Sequence, residues 1–174
     1  MSDGLDRFLP RALLLCGTLL LAVGPVAAGG TDASFVVGTG WFDANRRRDQ
    51  AGELRLEYRS PSLTGGLRAV AATLATSDGS LFVGTGVAYE VQLGAWDVTP
   101  AFVPGAYRRG QGRDLGYPLE FRSQLELGRR LRGGGRIALA VSHLSNAGLG
   151  SSNPGQESLT ISYEWRRDRG GRLR

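Results

Sequence analysis

The sequence predicts an all-β chain: an eight-stranded antiparallel transmembrane β-barrel behind a cleaved N-terminal signal peptide. Three observations point there. Apolar residues alternate with a period of two in eight successive stretches. Several of those stretches carry charge on their second face, although the chain opens on an export signal. The stretches run roughly 8–14 residues, longer than the about 5–6 usual for strands of globular proteins.

Composition narrows the class before any element is placed. The chain has 174 residues, 41% of them apolar and 21% charged, with a net charge of +5. That is too apolar for disorder and too poor in charge for a coiled coil. The 27 glycines show no collagen period, and with only 7 prolines they fit tight turns between strands. All 21 basic residues are arginine. One cysteine excludes an intrachain disulfide, and one histidine excludes a multi-histidine metal site.

The N-terminal segment addresses the chain for export. Arg7 and Arg11 precede an apolar run from Ala12 to Val23, broken by Gly24-Pro25. Val26-Ala27-Ala28 then supplies the small residues of a cleavage site. The run is short for a membrane-spanning helix, which needs about 20 residues. Residues 1–28 are therefore expected to be removed, leaving a domain over 29–174 that ends in a basic tail, 166–174.

The strands follow in order. Phe35, Val37, Thr39 and Trp41 alternate in the first. Leu54, Leu56 and Tyr58 alternate with Glu53, Arg55, Glu57 and Arg59 in the second. Residues 66–76 form a weaker third. Leu81, Val83, Val87, Tyr89, Val91 and Leu93 mark one long fourth strand, and Trp96, Val98 and Phe102 a fifth. Tyr117 to Leu127 alternates with Glu120, Arg122, Gln124 and Glu126 in the sixth. Ile137, Leu139 and Val141 mark the seventh, and Leu159, Ile161, Tyr163 and Trp165 the eighth.

Long strands with one apolar and one charged face suit a barrel in lipid, apolar outward and polar toward the lumen. The acidic and basic rows of the second and sixth strands would then neutralise each other inside. Aromatics near strand ends, Trp41, Tyr58, Trp96, Tyr117 and Trp165, fit interfacial girdles. Periodicity alone leaves a soluble lipocalin-like barrel open, with the two faces reversed. With both termini periplasmic, external loops fall near 44–52, 77–79, 107–116 and 146–156. Two of these are basic, through Arg46-Arg47-Arg48 and through Arg108, Arg109 and Arg113. Arginine pairs bidentately with phosphate, so contact with lipopolysaccharide is expected there. A nucleic-acid partner is not expected for an exported barrel.

Reactive residues gather where the seventh strand ends. His143 and Ser145 are two apart, so they share a face with Ile137, Leu139 and Val141. Glu157 shares its parity with Leu159, Ile161, Tyr163 and Trp165, again the apolar face. Antiparallel pairing across one loop brings Glu157 beside His143. A hydroxyl, an imidazole and a carboxylate thus converge on the lipid-facing wall at the external rim. Serine needs a base to accept its proton, histidine titrates near neutral pH, and an acid can hold its tautomer. Asn146, Asn153 and backbone amides near Gly148 are candidate oxyanion donors. The plainer reading is a strand-end histidine followed by ordinary turn residues, with Asn153-Pro154-Gly155 as the turn.

The segment His143-Leu144-Ser145-Asn146-Ala147-Gly148, followed by Asn153, Gly155 and Glu157, resembles the active-site segment of outer-membrane lipid A 3-O-deacylases, the PagL family. The resemblance covers residues 137–165. It implies a barrel in the Gram-negative outer membrane, reached through the periplasm, with its active site on the outer wall. It also implies hydrolysis of the ester at position 3 of lipid A, releasing a 3-hydroxy fatty acid without a metal or other cofactor. The nucleophile would be Ser145, the base His143 and the orienting acid Glu157, with supporting roles for Asn146 and Asn153. A homodimer that covers the lipid-facing site is left open. A non-catalytic structural or adhesive barrel is the alternative function. One departure stands out: the chain runs on for nine residues after Trp165, whereas outer-membrane barrels usually end on an aromatic strand residue.

Overall fold

A computed structural model describes residues 33–45, 50–132 and 134–166. The expected signal peptide, the triplet Arg46 to Arg48 and the tail beyond Arg166 lie outside the described residues. The strands are β1 (Ser34–Phe42), β2 (Ala51–Arg59), β3 (Leu67–Thr76), β4 (Leu81–Tyr89), β5 (Val91–Leu93), β6 (Trp96–Arg108), β7 (Leu119–Arg130), β8 (Arg136–Ser145) and β9 (Gln156–Arg166). Every pairing is antiparallel between neighbours in the chain, apart from two that close the cylinder. β1 pairs with β9, and β4 pairs with β6 past the short β5. The expected long fourth strand is split only at Glu90. The amide of Glu90 donates to the carbonyl of Gly66 in the register of the β3–β4 ladder, its carboxylate binds Arg130 and Arg166, and β4 and β5 meet β6 in one register. β4 and β5 together make one of eight staves.

The alternation resolves the choice between the two barrels. On β8 and β9 the outward positions are Leu139, Val141, Leu159 and Ile161, all exposed, while Ser142, Ser158, Thr160 and Glu164 are buried. Apolar side chains face out and polar ones in, the arrangement that lipid requires. No helix among the described residues is long and apolar enough to cross a membrane, so any crossing is made by strands. Trp41, Trp96 and Tyr117 are exposed near strand ends, and Arg129 lies over the Trp96 ring at 5.2 Å.

Inside, charged rows meet as predicted. Glu126 of β7 binds Arg59 at 2.8 Å, Arg55 at 3.2 Å and Arg136 at 2.9 Å. Glu57 binds Arg55, Arg59 and Arg122 at 2.8, 2.7 and 3.1 Å. Toward the periplasmic end Glu164 joins Arg68 and Arg136. Two members of the expected rows behave differently. Glu53 accepts a hydrogen bond from Ser158, and both oxygens of Glu120 are buried without a hydrogen-bond partner. The reason for Glu120 is its height: it sits at the external end, where the lumen turns apolar.

That apolar zone was not expected. Phe42, Leu74, Phe82, Tyr107, Leu115 and Leu144 are buried together at the external ends of β1, β3, β4, β6 and β8 and under the loop before β7. They form a plug above the ion network. Close seams hold the wall around it. A Cβ on Gly40 would lie 2.0 Å from the carbonyl oxygen of Leu159, so only glycine allows β1 and β9 to approach as they do.

Candidate active site

β8 sets the geometry of the site. Its burial alternates strictly through Leu144, which anchors into the apolar plug, so His143 must point outward and Ser145 rises on the same face at the strand's end. β9 returns antiparallel with Glu157 directly opposite His143. Nδ1 of His143 lies 3.1 Å from Oε1 of Glu157, a hydrogen-bond distance. Both side chains are about half exposed, at 49% and 42%, so they stand on the wall and not within it. The other oxygen, Oε2 of Glu157, is buried without a partner. The structure therefore brings His143 and Glu157 into contact and puts Ser145 two positions on along the same face.

The loop after Ser145 is tied by asparagines. Asn146 is fully buried, and its Nδ2 donates to the carbonyls of Leu115 at 2.7 Å and Ser152 at 2.8 Å. Its Oδ1 accepts from the amide of Gly148 at 2.9 Å, and its own amide donates to Oδ1 of Asn153 at 3.1 Å. Ala147 and Gly148 both take left-handed φ, 53° and 81°, which turns the chain sharply at the rim. The side chain of Asn146 thus ties this loop to itself, through Gly148 and Ser152, and to the loop before β7, through Leu115, and Asn153 completes the tie.

The structure also places residues that had no motif to mark them. Ser123 of β7 stands opposite His143 on the side away from Glu157. A groove of about 720 Å³ opens there, lined by Ser123, Leu125, Val141 and Leu159, with His143 and Glu157 at its head. Ala44 and Asn45 of the β1–β2 loop also line it, and the Ala44 amide donates to the carbonyl of Glu157 at 2.8 Å. Phe102 and Phe121 stack at 5.9 Å beside Ser123 and Ser145, making an aromatic wall. Finding Ser123 required the β7–β8 register, which strand parity alone does not supply. Among the external arginines, Arg113 binds Asp43 at 3.0 Å and Arg109 binds Asp114 at 3.2 Å. Among the described residues no group of histidine, cysteine, aspartate and glutamate side chains forms a metal site.

The lipid A 3-O-deacylase (PagL) family profile matches residues 30–166, most of the chain. The chain belongs to that family. Its members are ester hydrolases, and the match takes in the whole barrel, beyond the 137–165 segment that carried the resemblance. The structure is similar to the crystal structure of the outer membrane enzyme PagL, at 21% identity and a TM-score of 0.55, over 75% of this chain and 97% of that one. A de novo designed transmembrane β-barrel is also similar, at 6% identity and a TM-score of 0.57, over 79% and 96% of the two chains. At such identities the likeness speaks for the fold. No curated protein matches the chain.

Proposed function

We propose that this PagL-family barrel, an ester hydrolase of the Gram-negative outer membrane, removes the 3-O-linked acyl chain of lipid A with a Ser145–His143–Glu157 triad on its lipid-facing wall. The observation that carries the reading is the 3.1 Å pairing of His143 Nδ1 with Glu157 Oε1 on a surface otherwise lined with leucine, isoleucine and valine. Polar groups in that position cost free energy and need a reason to be there.

On this reading Glu157 accepts a hydrogen bond from Nδ1–H of His143, which fixes the tautomer that leaves Nε2 free as a base. His143 takes the proton of the Ser145 hydroxyl as the oxygen attacks the ester carbonyl carbon. The tetrahedral intermediate collapses, the C–O bond to the sugar breaks, and His143 returns its proton to the sugar oxygen. Water then repeats the sequence on the acyl-serine and releases the 3-hydroxy fatty acid. Asn146, Gly148 and Asn153 support the site by holding the loop beside Ser145, where the oxyanion develops. The groove floored by Ser123 receives the acyl chain, because both are apolar and both lie at the depth of the bilayer surface. No metal is called for, since proton transfer runs through His143.

The test is lipid A composition. Expression in a Gram-negative host should remove one 3-hydroxyacyl chain, read as a single mass loss in the lipid A spectrum. Ser145→Ala and His143→Ala should restore the unmodified mass while the barrel still folds. Unmodified lipid A from folded wild-type protein would point instead to a structural or adhesive barrel.

A further inference from the structure

The imidazole of His143 has an unusual difficulty to solve. It projects from the outer wall, about half exposed, and its hydrogen bond to Glu157 fixes one ring atom only. Rotation about the Cβ–Cγ bond would carry Nδ1 away from Glu157, so the ring keeps that bond only where the space at its far edge is left open.

Gly155 leaves that space. It is buried, has a φ of +58°, and directly precedes β9. A Cβ placed on it would lie 2.8 Å from Cε1 of His143, 3.4 Å from Nε2 and 3.7 Å from the carbonyl oxygen of Leu144. The nearest obstacle is therefore the imidazole itself, on the edge opposite its attachment to the chain. Backbone is not the close neighbour, so a side chain at 155 would push the ring and leave the strands where they are.

We infer that Gly155 is a positioning residue for His143: having no side chain, it leaves the space in which the imidazole, bonded to Glu157, keeps one orientation on the barrel wall. The inference rests on the reading of His143 as the base, but its structural half stands apart from catalysis. The hydrogen bond at Nδ1 then sets the ring, the open space beside Cε1 admits it, and Nε2 is left as the nitrogen available to Ser145.

Gly65 provides the control. Its φ of +51° is close to that of Gly155, yet nothing lies within 4 Å of the Cβ it lacks. Alanine at either site meets similar backbone strain, and only at 155 does it meet the imidazole. Asparagine tolerates left-handed φ better than alanine does and still carries a Cβ, so Gly155→Asn tests the clash with less strain. His143 is the single histidine of the sequence, so selective ¹³C,¹⁵N-histidine labelling of tag-free protein gives one ring signal to follow.

In Gly155→Ala and Gly155→Asn the Cε1 resonance should shift and the Nδ1 signal should lose its hydrogen-bonded character. In Gly65→Ala both should match wild type. Deacylation kcat should fall roughly 100-fold in the Gly155 variants with KM within about twofold, the cost of misplacing a reacting group by an ångström. The thermal midpoints of Gly155→Ala and Gly65→Ala should agree. Unchanged ring resonances in both Gly155 variants would overturn the inference, whatever the activity. Shifted resonances in the Gly155 variants, alongside a wild-type protein that shows no deacylase activity, would keep Gly155 and overturn the triad.

Discussion

At the scale of single residues, Asn146 has the most to lose. Its side-chain amide bonds the carbonyls of Leu115 and Ser152 and the amide of Gly148, all from a fully buried position. Asn146→Ala would strand the carbonyl of the buried Leu115, at about 1–3 kcal/mol for a buried group left unpaired, and release that of Ser152. The expected result is a folded barrel with a loosened 146–155 loop. Limited proteolysis should cut there faster than in wild type, and deacylation should fall with it. The pairing of His143 with Glu157 was legible in the sequence, because strand parity and one short connecting loop leave little choice of partner. Ser123 was not legible, since placing it beside His143 depends on the register of two strands joined through residues 131–135. Gly155 was visible only as part of a turn. A turn glycine looks the same in sequence whether open space or an imidazole lies against it.

Among the strands, the charged rows of β2 and β7 do the work that an apolar core does in a soluble protein. Glu126 is their hub, joined to Arg55, Arg59 and Arg136. Glu126→Leu would leave three buried guanidinium groups short of a partner, and breaking a buried pair costs about 3–5 kcal/mol. The urea midpoint of the barrel in lipid vesicles should fall accordingly, with the triad geometry intact once folded. These rows were readable because charge at every second position of a strand has one sensible destination in an exported barrel. Arg136 escaped notice for the opposite reason: its inward neighbours are Ala138, Ala140 and Ser142, so no charged row announced it. The break at Glu90 was also invisible, because Val91 and Leu93 continue the alternation of β4 and its register against β6.

For the whole molecule, the class, the strand count and the lipid-facing surface all followed from periodicity and charge. The filling of the cylinder did not. The expected lumen was polar throughout, whereas Phe42, Phe82, Tyr107 and Leu144 close its external end. Those residues sit at strand ends, where alternation is short and aromatic side chains suggest a girdle as readily as an interior. A lumen lined with arginine–carboxylate pairs below and buried rings above is expected to pass no ions. Planar bilayers carrying the folded protein should show no steps in current, and stepwise conductance would contradict this packing. The same stopper bears on the second reactant. On the proposed reading of Ser145, the water that hydrolysis consumes would reach it along the outer rim and not through the barrel, because the lumen is closed behind Leu144.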